Sequence, residues 1–226
     1  MKAMILAAGR GERLRPLTDD CPKPLLMIGN KPIIVHTIEA LAANGITEII
    51  INLSYKADLI KQALGDGKQF GVNLSYSDEG EDALETAGGI LKALSFFNDQ
   101  PFLVVNGDIY TDYAYSKLLN QSFKQAYLVL VPNPEHHPHG DFGLEDGLVV
   151  NDADQLLTFS GIGVYQPKMF ASLSAGRHAL GPLLRASIQN HVVTGELYKG
   201  VWMDIGTVQR YQKVNDWLSA DQSVNV

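Results

Sequence analysis

Residues 3–16 read Ala3-Met4-Ile5-Leu6-Ala7-Ala8-Gly9-Arg10-Gly11-Glu12-Arg13-Leu14-Arg15-Pro16. The apolar run Ala3–Ala8 predicts a strand buried on both faces. It is too short, and too quickly followed by arginines, to continue as a signal peptide. Residues 9–24 then hold two glycines, three prolines and seven charges. That composition predicts a long functional loop at the carboxyl end of a strand, where open parallel sheets bind ligands. A glycine-rich turn there turns backbone N–H groups toward anions.

Outward from this loop, strand and helix signals alternate. Pro32 and Gly45 bracket a helix that carries Ile34, Ile38 and Leu41 at helical spacing. Glu48–Leu53 reads as a strand, with Ser54 capping a helix to about residue 64. Asn73–Ser77 reads as a strand, Ala87–Leu94 as a helix and Phe102–Asn106 as a buried strand. The alternation predicts an α/β fold with a Rossmann-like, doubly wound mixed sheet. After Tyr127 the short runs Tyr127–Val131, Leu148–Asn151, Leu156–Phe159 and Ile162–Tyr165 read as antiparallel additions. Helices follow near 167–173 and 179–189, then strands Val192–Leu197 and Val201–Asp204. Thr207 is placed to cap a last helix from Val208 to about Leu218, leaving a polar, frayed tail at 219–226. No linker marks a boundary, so 1–226 is expected to be one domain. The regularly alternating half is 1–125 and the looser half 126–218.

Composition narrows the function classes. Of the 226 residues, 46% are hydrophobic and 19% charged, as in an ordinary globular chain. No apolar run reaches the roughly 20 residues of a membrane span, so no membrane partner is expected. Cys21 is the only cysteine, which rules out an internal disulfide and makes a reducing cytoplasm the simplest compartment. The net charge of −7 argues against nucleic acid as a partner. An acidic chain that handles phosphates must gather positive charge locally or borrow it from metal. Arg10, Arg13, Arg15 and Lys23 outnumber the acids of segment 10–23 by one. Arg13 and Arg15 are spaced to face a triphosphate, and prolines on both sides of Lys23 are expected to hold it extended. The dinucleotide GxGxxG pattern fails at Leu14, and the P-loop ending is missing.

The acids point to a hard cation. Asn106-Gly107-Asp108 ends a buried strand, and Trp202-Met203-Asp204-Ile205-Gly206-Thr207 places a second acid between a strand and a helix. Each aspartate alone is an ordinary turn opener. Two at strand ends on one sheet edge form the set that Mg²⁺ takes together with phosphate oxygens. Asn133–Phe142 contains His136, His137 and His139, but their spacing matches no standard zinc set. A mobile lid fits that loop better.

Leu6-Ala7-Ala8-Gly9-x-Gly11-x-Arg13-Leu14-x-Pro16-Leu17-Thr18, followed by Pro22-Lys23-Pro24, resembles the signature of the sugar-1-phosphate nucleotidylyltransferases. The resemblance runs to about residue 218 and implies a nucleotide-binding half, 1–125, and a sugar-binding half, 126–218. It implies the nucleotide-diphospho-sugar transferase fold and transfer of a nucleotidyl group from a nucleoside triphosphate to a sugar 1-phosphate, releasing pyrophosphate. It implies that Ala7, Ala8, Gly9, Gly11, Arg13, Lys23, Glu85 and Asn106 bind nucleotide, with Arg13 and Lys23 catalytic. It further implies that Glu85, Gly140, Asp141, Ser160 and Arg185 border the sugar, and that Asp108 and Asp204 hold Mg²⁺. Leu84-Glu85-Thr86, His136-His137, Gly140-Asp141-Phe142 and Trp202-x-Asp204 look most like the short bacterial uridylyltransferases acting on N-acetylmuramate α-1-phosphate in peptidoglycan recycling. UTP is then the favoured nucleotide. Uridylyl, thymidylyl or guanylyl transfer to glucose, mannose or N-acetylglucosamine 1-phosphate is the alternative within the class, and a non-catalytic nucleotide sensor is the alternative outside it. A lactyl carboxylate would want a cation: Arg185, ahead of Lys168 and Arg177. A monomer or small homo-oligomer is expected.

Overall fold

The computed structural model describes residues 1–80 and 83–224. The chain runs β1 (Lys2–Leu6), α1 (Leu17–Asp20), β2 (Met27–Ile28), β3 (Lys31–Pro32), α2 (Ile33–Ala43), β4 (Glu48–Leu53), α3 (Ala57–Leu64), β5 (Asn73–Asp78), α4 (Glu85–Ala93) and β6 (Phe102–Asn106). It continues through β7 (Ile109–Thr111), β8 (Ala126–Val131), β9 (Gly143–Glu145), β10 (Leu148–Val150), β11 (Thr158–Tyr165), α5 (Leu180–Gln189), β12 (Val193–Leu197), β13 (Trp202–Asp204) and α6 (Val208–Val224).

Nine strands form one mixed sheet in the order β5-β4-β1-β6-β11-β8-β12-β10-β9. β5, β4, β1 and β6 are mutually parallel, and β11 closes that half by running antiparallel to β6. The chain leaves β1 toward β4 and returns on the other side at β6, so the strand order reverses between β1 and β6. That reversal opens a crevice beyond their carboxyl ends. Alternation along β1 builds both faces. Ala3 and Ile5 join Ile34 and Ile38 of α2 and Ile60 of α3 on one face, while Met4 joins Ile90 of α4 and Leu184 of α5 on the other. The doubly wound reading holds.

Several local readings are corrected. β1 stops at Leu6 because the Ala7 N–H donates to the Asn52 side chain instead of to a strand (2.8 Å). The loop is not uniformly extended: Glu12–Leu14 and Lys23–Leu25 are short 3-10 turns. Only Pro22 is extended at Lys23, because Pro24 tolerates a first helical turn. Ser54 does not cap α3, since its hydroxyl donates to the Gly80 carbonyl (2.8 Å). Lys56, in the left-handed region, precedes that helix. Leu156–Phe159 and Ile162–Tyr165 are largely one strand, β11, bent by a bulge between Phe159 and Ile162. β8 is antiparallel to β11 but parallel to β12. β13 lies outside the large sheet, paired antiparallel with β7. α6 continues to Val224, six residues beyond the expected end, so the start of the expected tail is helical and residues 225–226 lie outside the described residues.

Candidate active site

The crevice between β1 and β6 is closed at its base by Gly107, whose N–H donates to the Leu6 carbonyl (2.9 Å). A Cβ on Gly107 would sit 2.6 Å from that oxygen, so the approach requires glycine. Above it, Ala7, Gly9, Lys23, Thr86, Asn106 and Asp108 line one cleft. A Cβ on Gly9 would meet nothing within 4 Å, which leaves its backbone open to a ligand. Gly11 (φ +74°) turns the loop back so that Lys23 and Thr18 pack against it.

The loop's cations divide into two groups. Arg10 donates to the Thr18 carbonyl (2.9 Å) and lies over the Tyr55 ring at 3.8 Å. Arg15 is bound to Asp19 (2.7 Å) and faces Glu12 (3.5 Å), out on the surface. Both brace the loop, so the expectation that Arg15 faces a triphosphate is not met. Arg13 has no ion pair among the described residues, and Lys23 Nζ lies 2.5 Å from Asp108 Oδ2. Arg13, Asn106, Asp108, His136, Asp204 and Arg210 are among the residues lining a single cleft of about 300 Å³.

The two aspartates meet there by way of the β7–β13 ribbon, not along the edge of the large sheet. Asp204 pairs with Ile109 across the ribbon, and the Ile205 N–H donates to the Asp108 carbonyl (2.8 Å). Asp204 Oδ2 is 2.6 Å from Arg210. Its buried Oδ1 lies 2.9 Å from His136 Nε2, which donates to it only in the tautomer that carries hydrogen on that nitrogen. A desolvated carboxylate oxygen facing a cleft is suited to a cation. Among the described residues no cluster of three or more metal-type side chains forms. This is the donor set Mg²⁺ tolerates, with phosphates and water completing the shell.

Next to this cleft, Glu85, Asn106, Asp141, Phe142, Phe159 and Arg185 help to line a cavity of about 460 Å³. Asn106 borders both, and Gly161 (φ +80°) makes room for it: a Cβ there would lie 2.5 Å from the Asn106 amide. Ser160 shapes the wall through the bulge rather than by offering a hydroxyl. Its Oγ donates to the Val129 carbonyl (2.6 Å), and its own carbonyl accepts from Trp202 Nε1 (2.9 Å). Asp141 Oδ2 accepts the Phe159 N–H (2.8 Å), and Gly140 (φ +66°) turns the loop beside Asn133 and Leu156. Glu85, also at positive φ (+59°), faces Arg177 (3.1 Å). Thr86 does not cap α4. The His178 carbonyl accepts from Ala87 and Gly88 N–H instead (2.9 and 3.1 Å). Arg185 is exposed, sits 5.1 Å from the Phe142 ring and has no ion pair among the described residues. Lys168 follows Tyr165, which pairs with Phe102 at the opposite end of the sheet, so it does not reach this cavity. Burial raises the Cys21 thiol above its ordinary range, which suits a bystander and not a nucleophile.

Sequence reasoning missed Arg210, whose only signal was its position one helical turn after Thr207. It also missed Asn52 and Glu79, visible only as a polar residue ending an apolar strand and an acid in a run of acids.

A crevice at the strand-order reversal, a glycine-rich loop, an arginine with no ion pair among the described residues, a lysine and two aspartates are a set that suits the handling of phosphates. The Nucleotidyl transferase family profile matches residues 2–220, and the chain belongs to that family. It is 48% identical to N-acetylmuramate alpha-1-phosphate uridylyltransferase of Neisseria meningitidis serogroup B, over 94% of this chain and 96% of that one. It is 31% identical to mannose-1-phosphate guanyltransferase beta-A of Xenopus laevis, over 97% of this chain and 68% of that one. Its fold matches a putative glucose-1-phosphate thymidylyltransferase structure from Bacillus anthracis with a TM-score of 0.85, at 24% identity over 96% and 94% of the two chains. The chain is accordingly a sugar-1-phosphate nucleotidyltransferase.

Proposed function

We propose that this enzyme joins UTP and N-acetylmuramate α-1-phosphate to give UDP-N-acetylmuramate and pyrophosphate. The observation that carries the chemistry is the convergence of Arg13, Lys23, Asp108 and Asp204 on one crevice. The near full-length similarity to the meningococcal uridylyltransferase supports the choice of substrates.

In the proposed reaction an oxygen of the sugar phosphate attacks the α-phosphorus in line. A P–O bond forms there as the bond to the β-phosphate breaks, and pyrophosphate leaves with the electron pair. The attacking oxygen is already ionised near neutral pH, so no general base is required. The backbone of Ala7, Ala8, Gly9 and Gly11 receives the triphosphate, and Arg13 binds its distal phosphates. Lys23 neutralises charge at the α-phosphate. Two like charges 4 Å apart repel by about 4 kcal/mol at intermediate dielectric, so alignment and counter-charge account for the rate. Mg²⁺, held by Asp108 and Asp204, would supply the rest of that counter-charge when bound. Glu85 and Asn106 border the nucleotide and sugar, and Gly140 and Asp141 hold the sugar-side wall. Arg185 supplies the cation that a lactyl carboxylate needs. Among the described residues no helix is long and apolar enough to cross a membrane. A reducing cytoplasm and a monomer or small homo-oligomer complete the proposal.

The test is pyrophosphate release from Mg²⁺, UTP and a panel of sugar 1-phosphates. Release confined to N-acetylmuramate α-1-phosphate is expected. Release only with mannose 1-phosphate and GTP would keep the chemistry and overturn the substrate. Nucleotide binding with no release from any pair would favour the sensor.

A further inference from the structure

Beneath the nucleotide crevice lies a buried polar chain that the proposed chemistry does not use. Asn52, near the end of β4, is 3% exposed, and Glu79, just after β5, is 8% exposed. Asn52 Oδ1 accepts the Ala7 N–H (2.8 Å), and Asn52 Nδ2 donates to Glu79 Oε1 (2.7 Å). Glu79 Oε2 accepts the Leu84 N–H (2.7 Å). The chain therefore spans from the first residue after β1 to the residue before α4.

Glu79 has no ion-pair partner among the described residues. Burying a carboxylate without a countercharge is costly unless its oxygens are hydrogen-bonded, and here each oxygen has its own donor. The chemistry also fixes the residue types. Both neighbours of Glu79 are N–H donors, which suits a carboxylate, whereas an amide can accept on one side only. Asn52 must accept from a backbone N–H and donate to a carboxylate, which an amide does and a carboxylate does not. Gly89 of α4 packs directly on this pair: a Cβ there would lie 2.4 Å from Glu79 Oε1 and 2.9 Å from Asn52 Nδ2.

The two ends of the chain are opposite walls of the nucleotide site. Ala7, Gly9 and Thr86 line the cleft that holds Lys23 and Asp108. Ala8, Gly80 and Ala83 line the neighbouring cavity of about 810 Å³. We infer that Asn52 and Glu79 are positioning residues that set the gap between the triphosphate loop and residues 83–86, so that both walls engage the nucleotide as one unit. The inference rests on the reading of that crevice as the nucleotide site.

Calorimetric binding of UTP with Mg²⁺, without sugar phosphate, and steady-state kinetics for both substrates test it. Glu79→Gln loses one charge-assisted hydrogen bond, so Kd and KM for UTP should rise about tenfold. The KM for N-acetylmuramate α-1-phosphate should rise no more than about threefold, because Asp141, Phe142, Phe159 and α5 line most of its cavity and the displaced wall adds only Glu85 and Thr86. Gly89→Ala keeps both polar residues but displaces the carboxylate, and should show the same split even if Glu79→Gln folds poorly. Asn52→Ala combined with Glu79→Gln should weaken UTP no more than the worse single change, as expected for one linked unit. Unchanged UTP affinity in folded Glu79→Gln and Gly89→Ala, equal rises for both substrates, or additive losses would each overturn the relay while leaving the nucleotidyltransferase reading intact. Failure of the wild-type protein to bind UTP would remove both.

Discussion

Lys23 and Asp108 hold each other at 2.5 Å, both side chains partly buried, so altering either one leaves the other without its countercharge. In the proposed reaction Lys23 acts on charge that moves during phosphoryl transfer. Lys23→Ala should therefore lower kcat by about 10² or more and shift nucleotide affinity less, in single-turnover kinetics. Asp108→Asn should raise the Mg²⁺ concentration needed for half-maximal turnover, read from a Mg²⁺ titration. Normal turnover in either variant would remove that residue from the chemistry. Arg185 is set apart from this cluster, and having no carboxylate partner among the described residues gives it a separate prediction. Arg185→Ala should reduce the preference for N-acetylmuramate phosphate over N-acetylglucosamine phosphate about tenfold, the order lost with one charge-assisted contact. An unchanged ratio of kcat/KM would sink its role. The candidate residues themselves were legible in the sequence, because glycines, prolines and acids clustered at strand ends. Their pairings were not legible: Arg13 and Arg15 look alike in sequence, and only packing shows that Asp19 and Glu12 hold Arg15.

At the scale of elements, the bulge in β11 carries most of the geometry. Apolar runs on either side of Ser160-Gly161 read as two strands, because a bulge interrupts the period of two without ending the strand. The Ser160 hydroxyl and the positive φ of Gly161 keep it one strand and open a notch for Asn106. Gly161→Ala would meet both an unfavourable φ and the Asn106 amide, and should cost about 1–3 kcal/mol of stability. Urea unfolding measures that cost, and kcat/KM should fall with it as Asn106 is pushed toward the cleft. A stable variant of normal activity would show that the notch is incidental. The β7–β13 ribbon was half legible. Trp202–Asp204 is recognisable as a strand, but three residues do not reveal their partner, and pairing with β7 places Asp204 beside Asp108.

For the whole molecule, the site lies where the two windings of the sheet diverge, so a ligand bound there contacts both halves of the chain. Binding should then stabilise the global fold. At a hundred times Kd, UTP with Mg²⁺ would add about 2.7 kcal/mol, a rise in Tm of roughly 5–10 °C for a chain of this size. Scanning fluorimetry should show that rise and show most of it lost on chelating the metal. A nucleotide shift indifferent to chelation would argue against Asp108 and Asp204 as metal ligands. Sequence by itself determined the class of fold, the strand that begins it, the glycine-rich loop after it and the class of reaction. Those features are local, written in short-range apolar periodicity and in the backbone demands of glycine and proline. Tertiary structure alone decided which arginine of the loop has no ion pair among the described residues, that β12 runs parallel to β8, that Asp204 arrives on a separate ribbon, and that Asn52 and Glu79 link the residue after β1 to the residue before α4. Each of these depends on partners distant in sequence, and burial and hydrogen bonding select such partners only once the layers have packed.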